Sequence, residues 1–495
     1  MDAEWRSKPK KNSKPSNLCY RMKEAYLVLD IGTGNVRAAL VTPSGEVIKV
    51  ARDDIRYYRD ELYPDAIHFL PEELLGQLKA LSAAVLSPEY SVLAVTSTSQ
   101  REGIVLINTE GKATLGMPNI DHRGREWQEN FGDKSEVYRI SGRYPTSLFS
   151  VYKLIGIRER RPELWQEVQT FLSISDWALW ALTGVAVYEH SQASETLIYD
   201  VSEGMWSTAM LEKFGISPGI LSPLVQSGTA VGKVQADMAA AWGISTDAVG
   251  VVGGGDTQLA IKSTKPESGD VILVSGTTTP VVKLESKYLL DEEERTWTSR
   301  DIAEDRFVFE ANAGVTGLNL QRLKEVFYPN EGYELIEKEL NATDPGQCFA
   351  SLGSLIAYEK TPVIRGGFVF PVPVTHELKR ASFVWASLVD IAFSIVENYK
   401  VLASCSGHEK TYLWACGGGL QSAALRQLIA DISGKEVRVR KGFEQATVIG
   451  SAFLCNEALS KLSSAEEGAY DVAVPQQDRS ELWVKWSAVR KGFQS

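Results

Sequence analysis

A mixed α/β or α+β fold assembled from two related halves is predicted by three observations. Apolar runs of strand length alternate with longer helical segments along most of the 495 residues. A strand, a Gly-Thr turn and a second strand occur twice, in "LVLDIGTGNVRAALV" (27–41) and in "SGDVILVSGTTTPVVKL" (268–284), the pattern of a chain with two similar halves. The length allows two to four domains, and the 44% apolar content is enough for sizeable cores.

Ordered structure should begin near Ala25. The 24 residues before it, "MDAEWRSKPKKNSKPSNLCYRMKE", are rich in Lys and Pro and lack the apolar core of a signal peptide, so they read as a flexible tail on a cytoplasmic protein. "YLVLD" is a short apolar run of the buried type, and "VRAALVT" and "GEVIKVA" follow with "PSG" turn chemistry between them. Three strands joined so tightly predict an antiparallel meander. Further strands are expected at 91–100 and 103–111, and "LWQEVQTFLSISDWALWALTG" reads as helix closed by Gly184. The boundary between halves falls near Lys262–Gly269, giving domains 25–264 and 265–462. The charged stretch Glu285 to Arg306 shows no periodicity and reads as a solvated excursion. "LQSAALRQLIADISG" places Leu420, Ala424, Leu425, Leu428, Ile429 and Ile432 on one helical face before Gly434. Residues 463–495 form a C-terminal tail without an assigned place.

The net charge of −11 argues against non-specific binding to nucleic acid or to an anionic membrane, so any anionic ligand needs a local positive site. No apolar run of membrane-spanning length stands out. The five cysteines are scattered and contain no Cys-x-x-Cys pair, which speaks against a disulfide framework or a cysteine zinc site and fits a reducing compartment.

Four constellations can carry chemistry. In "DIGTGNVR", small turn residues let backbone amides approach phosphate oxygens and Asp30 can hold Mg²⁺, although an ordinary hairpin explains the same residues. In "SQREG", Arg101 can donate and Glu102 accept toward the hydroxyls of a small polar substrate, and "NIDHRGREW" adds Asp121 and Arg123; a surface ion pair is the plainer alternative. In "VGGGDTQLAI", Asp256 can take a hydroxyl proton, or merely cap the helix that follows. In "LWACGGGLQSAALRQL", three glycines before a helix can seat a nucleoside, or simply make a tight turn; neither a Walker A loop nor G-x-G-x-x-G is present.

Taken in order, these motifs resemble the FGGY family of carbohydrate kinases from about Ala25 to Ala458. The resemblance implies a two-domain actin-like ATPase fold, each domain with a ribonuclease H-like core, and a site in the cleft between them. It implies Asp256 as catalytic base. It gives Asp30 a metal role, and Gly32, Thr33 and Arg37 phosphate-side roles. "SGTTT" is similar to a second phosphate motif, placing Gly276, Thr277 and Thr278 at the β- and γ-phosphates, with Gly317 on the nucleotide side. Gly417, Gly418 and Gly419 would meet the nucleoside, with Glu444, Gln445 and Ala446 nearby. Arg101, Glu102, Asp121, Asp256 and Gln258 would bind the substrate.

The pattern is most similar to the autoinducer-2 kinase branch at "REGIVL", "NIDHR", "ISDWALWALTG" and "VGGGDTQL". "SQREG" also resembles glycerol kinases, and the Gln-Met-His-Gly typical of xylulokinases is missing. "SGTTTPVV" departs from the Gly-Gly-Thr form of autoinducer-2 kinases. The implied ligands are ATP, Mg²⁺ and a small sugar, polyol or linear dihydroxy-dione, and a homodimer is compatible with all of this. The rival from another class is an actin-like nucleotide switch without a small acceptor, which would have no need of Arg101, Glu102 and Asp121.

Overall fold

The computed structural model describes residues 22–361, 363–461 and 469–494. Most of the expected N-terminal tail, up to residue 21, lies outside them. Strand β1 (Lys23–Ile31) is followed by β2 (Asn35–Val41) and β3 (Val47–Asp54) in the expected antiparallel meander. Seven consecutive buried residues in β1 reflect cover on both sheet faces. Strand β4 (Tyr90–Ser99) runs parallel to β1 and puts Thr98 opposite Asp30.

The single helix expected from Leu164 to Gly184 is divided. Strand β5 (Ile104–Asn108) pairs antiparallel with β6 (Val168–Ser173), and only then does helix α1 (Ile174–Thr183) begin. Side-chain pairing such as Leu106 with Phe171 outweighs the helical reading of "VQTFLS". Ser173 caps the new helix by accepting from the Asp176 amide, and Gly184 closes it at φ 74°. The first sheet is completed by β7 (Ala230–Lys233) and β8 (Val249–Gly255) in the order β7-β8-β4-β1-β2-β3. Helix α2 (Asp256–Ser263) follows β8 without a loop.

The second sheet begins with β9 (Val271–Val274), β10 (Thr278–Glu285), β11 (Trp297–Arg300) and β12 (Phe307–Val315). Helices α3 (Gly317–Phe327), α4 (Tyr333–Asn341) and α5 (Arg380–Ser406) lead to β13 (Tyr412–Cys416), α6 (Ala423–Ser433), β14 (Glu436–Arg440) and α7 (Ala446–Ala458). Strand β15 (Tyr470–Ala473) and helix α8 (Ser480–Phe493) end the chain. The order is β11-β12-β10-β9-β13-β14-β15. In each sheet a first strand (β1 or β9) lies between an antiparallel partner (β2 or β10) and two parallel strands in series (β4 and β8, or β13 and β14). The Gly-Thr bend sits at the same place in both, so the repeat seen in the sequence is a repeat of topology.

Two segments differ from expectation. The stretch Glu285 to Arg306 is no solvated excursion, because it contains β11. Thr298 there donates its amide to the Gly142 carbonyl at 2.9 Å, and the Tyr138 hydroxyl donates to the Thr296 carbonyl at 3.0 Å. Its exposed charges, Glu292 and Glu293, flank a buried Thr-Ser strand rather than extend through it. The C-terminal segment, unplaced by its sequence, adds β15 to the sheet edge. It also buries Trp486, whose ring stacks on Phe393 at 5.0 Å and whose indole N–H donates to Asp390 at 2.9 Å. Among the described residues α5 alone is long and apolar enough to cross a membrane, and it is the buried centre of the second domain.

The two halves meet where α2 and α7 cross. A Cβ on Gly450 would lie 1.8 Å from the Leu259 carbonyl oxygen, so backbone touches backbone and only glycine fits. The same helix α7 reaches the first sheet, where Tyr26 donates its hydroxyl to Asn456 at 2.7 Å.

Candidate active site

Asp30 is the last residue but one of β1, 3% exposed, and pairs with Arg37 from β2. The turn between them is held from behind: Gln100 Nε2 donates to the Gly32 carbonyl at 3.0 Å, and Thr33 exchanges hydrogen bonds with Asn119. Arg37 is thus engaged by the carboxylate beside it. Close packing dictates the glycines ahead of Asp256, since a Cβ on Gly253 would lie 1.8 Å from the Ser97 carbonyl oxygen of β4. They deliver the part-buried Asp256 to the first position of α2, where its Oδ1 accepts from the Thr257 amide at 2.7 Å. Burial pushes the Asp256 carboxyl up to about 6; Arg101 opposes the rise and the charge of Asp30 adds to it. Asp30, Arg101 and Asp256 therefore occupy one electrostatic neighbourhood.

Arg101 extends across the domain boundary. Its guanidinium donates to both Glu310 oxygens, at 2.6 and 3.0 Å, and lies 3.7 Å from Glu195. Glu310 comes from β12, 209 positions away in sequence. Glu195 in turn pairs with Arg143, whose guanidinium lies over the Trp297 ring at 4.9 Å. Glu102 is buried and adopts φ 64°, a left-handed conformation that side chains rarely take and that marks imposed strain. Burial and the Glu195 charge push its carboxyl up, while burial pushes the Lys153 ammonium down.

Gln258 is buried on α2. Its Nε2 donates to Ser299 Oγ at 3.3 Å, and its Oε1 has no partner within the protein. Asp121 is placed differently from the other expected substrate residues. Its two oxygens accept from the Arg123 side chain (2.9 Å twice), the Arg123 amide (3.2 Å) and the Ile67 amide (2.8 Å). Its oxygens thus tie its loop to Ile67 and Arg123, and Asp121 and Glu102 both act on the Lys153 charge.

Glu310, Glu195 and Arg143 were not singled out in the sequence. They stand in unremarkable local contexts, and what unites them is a fold-dependent encounter. A buried acid inside the apolar strand "RFVFEANAG" is the one signal available, and it marks a partner without naming it.

The second turn gathers four further glycines. Gly276 and Thr277 are exposed, Thr278 opens β10, and a Cβ on Gly276 would meet open space. Gly317 packs so tightly that a Cβ would lie 2.0 Å from the Gly276 carbonyl oxygen, while Gly417, at φ 97°, and Gly419 close on Ser275 at 2.3 and 2.2 Å on the same measure. Gly418 is exposed beside them. Ser275, Thr279 and Thr316 form a hydroxyl chain behind the turn, at 2.9 and 2.6 Å. Next to it, α3, α4, α5 and Ser422 line a narrow apolar cleft. Glu444 and Gln445 lie in the short helical turn before α7, which is tied to the glycines where the Phe443 carbonyl accepts from the Gly417 amide at 2.7 Å.

Residues 25–262 match the N-terminal domain of the FGGY family of carbohydrate kinases, and residues 349–459 match its C-terminal domain. The chain is 44% identical over 479 residues to "Putative sugar kinase YoaC" of Bacillus subtilis (strain 168), covering 96% of this chain and 98% of that protein. It is 27% identical over 505 residues to an autoinducer-2 kinase of Escherichia coli (strain K12), covering 94% of each. Among solved structures, Plasmodium falciparum glycerol kinase with ADP superposes with a TM-score of 0.80 at 18% identity, covering 95% of this chain and 98% of that one. That likeness establishes that the chain has the same overall fold as that structure. With both domain matches in place over the cleft just described, the chain belongs to the FGGY family of carbohydrate kinases and is an ATP-dependent sugar kinase.

Proposed function

We propose that the enzyme transfers the γ-phosphoryl group of ATP to a hydroxyl of a small sugar, polyol or linear dihydroxy-dione, with Asp256 as general base. The position of Asp256 carries this reading: it heads α2 beside Asp30 and Arg101, with a carboxyl tuned to about 6. A base of that kind is ionised at neutral pH yet close enough to it to accept a proton as attack proceeds. The acceptor oxygen bonds to the γ-phosphorus, the bond from that phosphorus to the β,γ-bridging oxygen breaks, and the hydroxyl proton passes to Asp256.

Arg101 and Glu102 orient the acceptor, with the unpartnered Gln258 Oε1 offering a site for one of its hydroxyls. The turns at Gly32–Thr33 and Gly276–Thr278 present backbone donors to the phosphates, and Gly317 and Gly417–Gly419 let the nucleotide approach the backbone. Among the described residues no cluster of three or more potential metal ligands occurs, and Asp30 offers one carboxylate. Such a donor set suits Mg²⁺, which takes few protein ligands and keeps phosphate and water. Asp30 is the residue to hold it, and bound there it would offset charge on the β- and γ-oxygens.

A coupled ADP-release assay with Mg²⁺-ATP tests the proposal across 4,5-dihydroxypentane-2,3-dione, xylulose, ribulose, rhamnulose, erythritol and glycerol. One acceptor should stimulate the wild type. Asp256→Asn should keep acceptor KM and lose roughly 10²–10⁴ in turnover, the range for loss of a general base. Near-normal turnover in that variant would remove Asp256 from the role.

A further inference from the structure

The apolar cleft beside the glycine turn contains a carboxylate that phosphate chemistry does not explain. Glu337, on α4, lines it together with Leu320, Ile336, Val384 and Leu388. Its Oε2 accepts from the Ala424 amide in the first turn of α6 at 3.2 Å, and its Oε1 is shielded from solvent without a hydrogen-bond partner in the protein. The nearby cations give their hydrogen bonds elsewhere, although the Glu337 charge acts on Arg426. Arg426 donates to the Leu420 and Gln421 carbonyls and lies over the Phe443 ring, and the Lys324 ammonium faces the Tyr328 carbonyl and the Tyr333 ring. Ser422 also lines the cleft, but its hydroxyl oxygen accepts from the Leu425 amide. An acceptor buried in this way is costly until a ligand brings it a donor.

We infer that Glu337 selects the nucleobase, its Oε1 accepting a hydrogen bond from the 6-amino group of adenine. The inference rests on reading the cleft and the adjoining Gly417–Gly419 turn as the seat of ATP. The apolar side chains of α3 and α5 suit the faces of a purine. Glu337 is the one carboxylate among the lining residues, so it sets which edge is accepted. A 6-oxo purine would place a carbonyl oxygen against a carboxylate oxygen, leaving two desolvated acceptors facing each other.

Equilibrium binding of ADP and IDP to the full chain, by titration calorimetry, tests this without a known acceptor, because the two differ in the purine by 6-amino against 6-oxo. Wild type should bind ADP roughly 10- to 100-fold more tightly. In Glu337→Gln the amide oxygen stays with the Ala424 N–H and the new NH₂ faces the base, so the preference should collapse or invert toward IDP. Glu337→Ala should weaken ADP and relieve the opposition to the 6-oxo group, so that the two affinities converge, and thermal melting checks that each variant is folded. Equal affinities in the wild type, or a wild-type ratio kept by a folded Glu337→Gln or Glu337→Ala protein, would overturn the assignment while leaving the cleft a nucleotide site. Absence of binding by both nucleotides would overturn the nucleotide reading itself, and the inference with it.

Discussion

Lowering the pH from 7 to 5 should cost this kinase roughly tenfold in kcat/KM for its acceptor. With its carboxyl near 6, Asp256 is ionised in roughly ten of eleven molecules at pH 7 and in roughly one of eleven at pH 5. An aspartate at the ordinary 3.8 would still be more than roughly nine-tenths ionised at pH 5 and would show almost no loss. The two cases are therefore easily told apart. The assay follows ADP release at saturating Mg²⁺-ATP, with the nucleotide KM remeasured at each pH so that titration of ATP is not mistaken for titration of the enzyme. A second perturbation checks the cause. Arg101 holds the Asp256 carboxyl down, so Arg101→Gln should move the acid limb to higher pH besides weakening acceptor binding. A profile flat to pH 5 in folded protein, or a limb that Arg101→Gln leaves in place, would refute the reasoning.

The same shift has a stability counterpart with a definite sign. A carboxyl that ionises more readily in the unfolded chain costs stability as pH rises from 3.8 through about 6, so Asp256→Asn should melt higher than wild type above pH 6. The gain is bounded at about 3 kcal/mol and is reduced by the partial exposure of Asp256; an unchanged melting temperature at pH 7 would count against the burial cost. Glu310→Ala leaves Arg101 buried without its main partner and should destabilise by about 3–5 kcal/mol in urea unfolding, whereas Glu310→Gln should mainly raise acceptor KM. Trp486→Ala removes the Phe393 stack and the Asp390 donor, so a loss of about 3–5 kcal/mol is expected, and a shift within error would mean that α8 is dispensable.

The first meander and the second strand-turn-strand could be read from the chain because each condition for them is local: apolar runs, tight turns and a Gly-Thr bend. The placement of Asp256 at the head of a helix was legible for the same reason, since its strand, glycines and helix are contiguous. The division of Leu164 to Gly184 was not, because "VQTFLS" becomes a strand only when β5 lies beside it. Charge density at Glu292 to Arg295 concealed β11, which is four residues long and has its buried Thr298 and Ser299 side by side. The C-terminal segment gave little signal, as β15 is a largely exposed edge strand and α8 buries only Trp486 and Arg490. In the site, the Arg101–Glu310 pair was out of reach because it joins two domains. Asp121, assigned to the substrate by resemblance, also accepts from Arg123 and Ile67, contacts that no sequence pattern marks.

The contact between Gly450 and Leu259 sets a mechanical condition on everything nearby. If one domain rocks on the other about this contact, displacement grows with the lever arm from that point. Asp256 stands three residues before Leu259 on the same helix, an axial distance of about 4.5 Å. The carboxylate thus sits almost on the fulcrum, while the Gly276 turn and the Glu310 strand ride on the moving body. Opening the cleft would carry the Gly276 turn and Glu310 away from an almost stationary base, while the Gly32 turn, Arg101 and Glu102 stay on its own body.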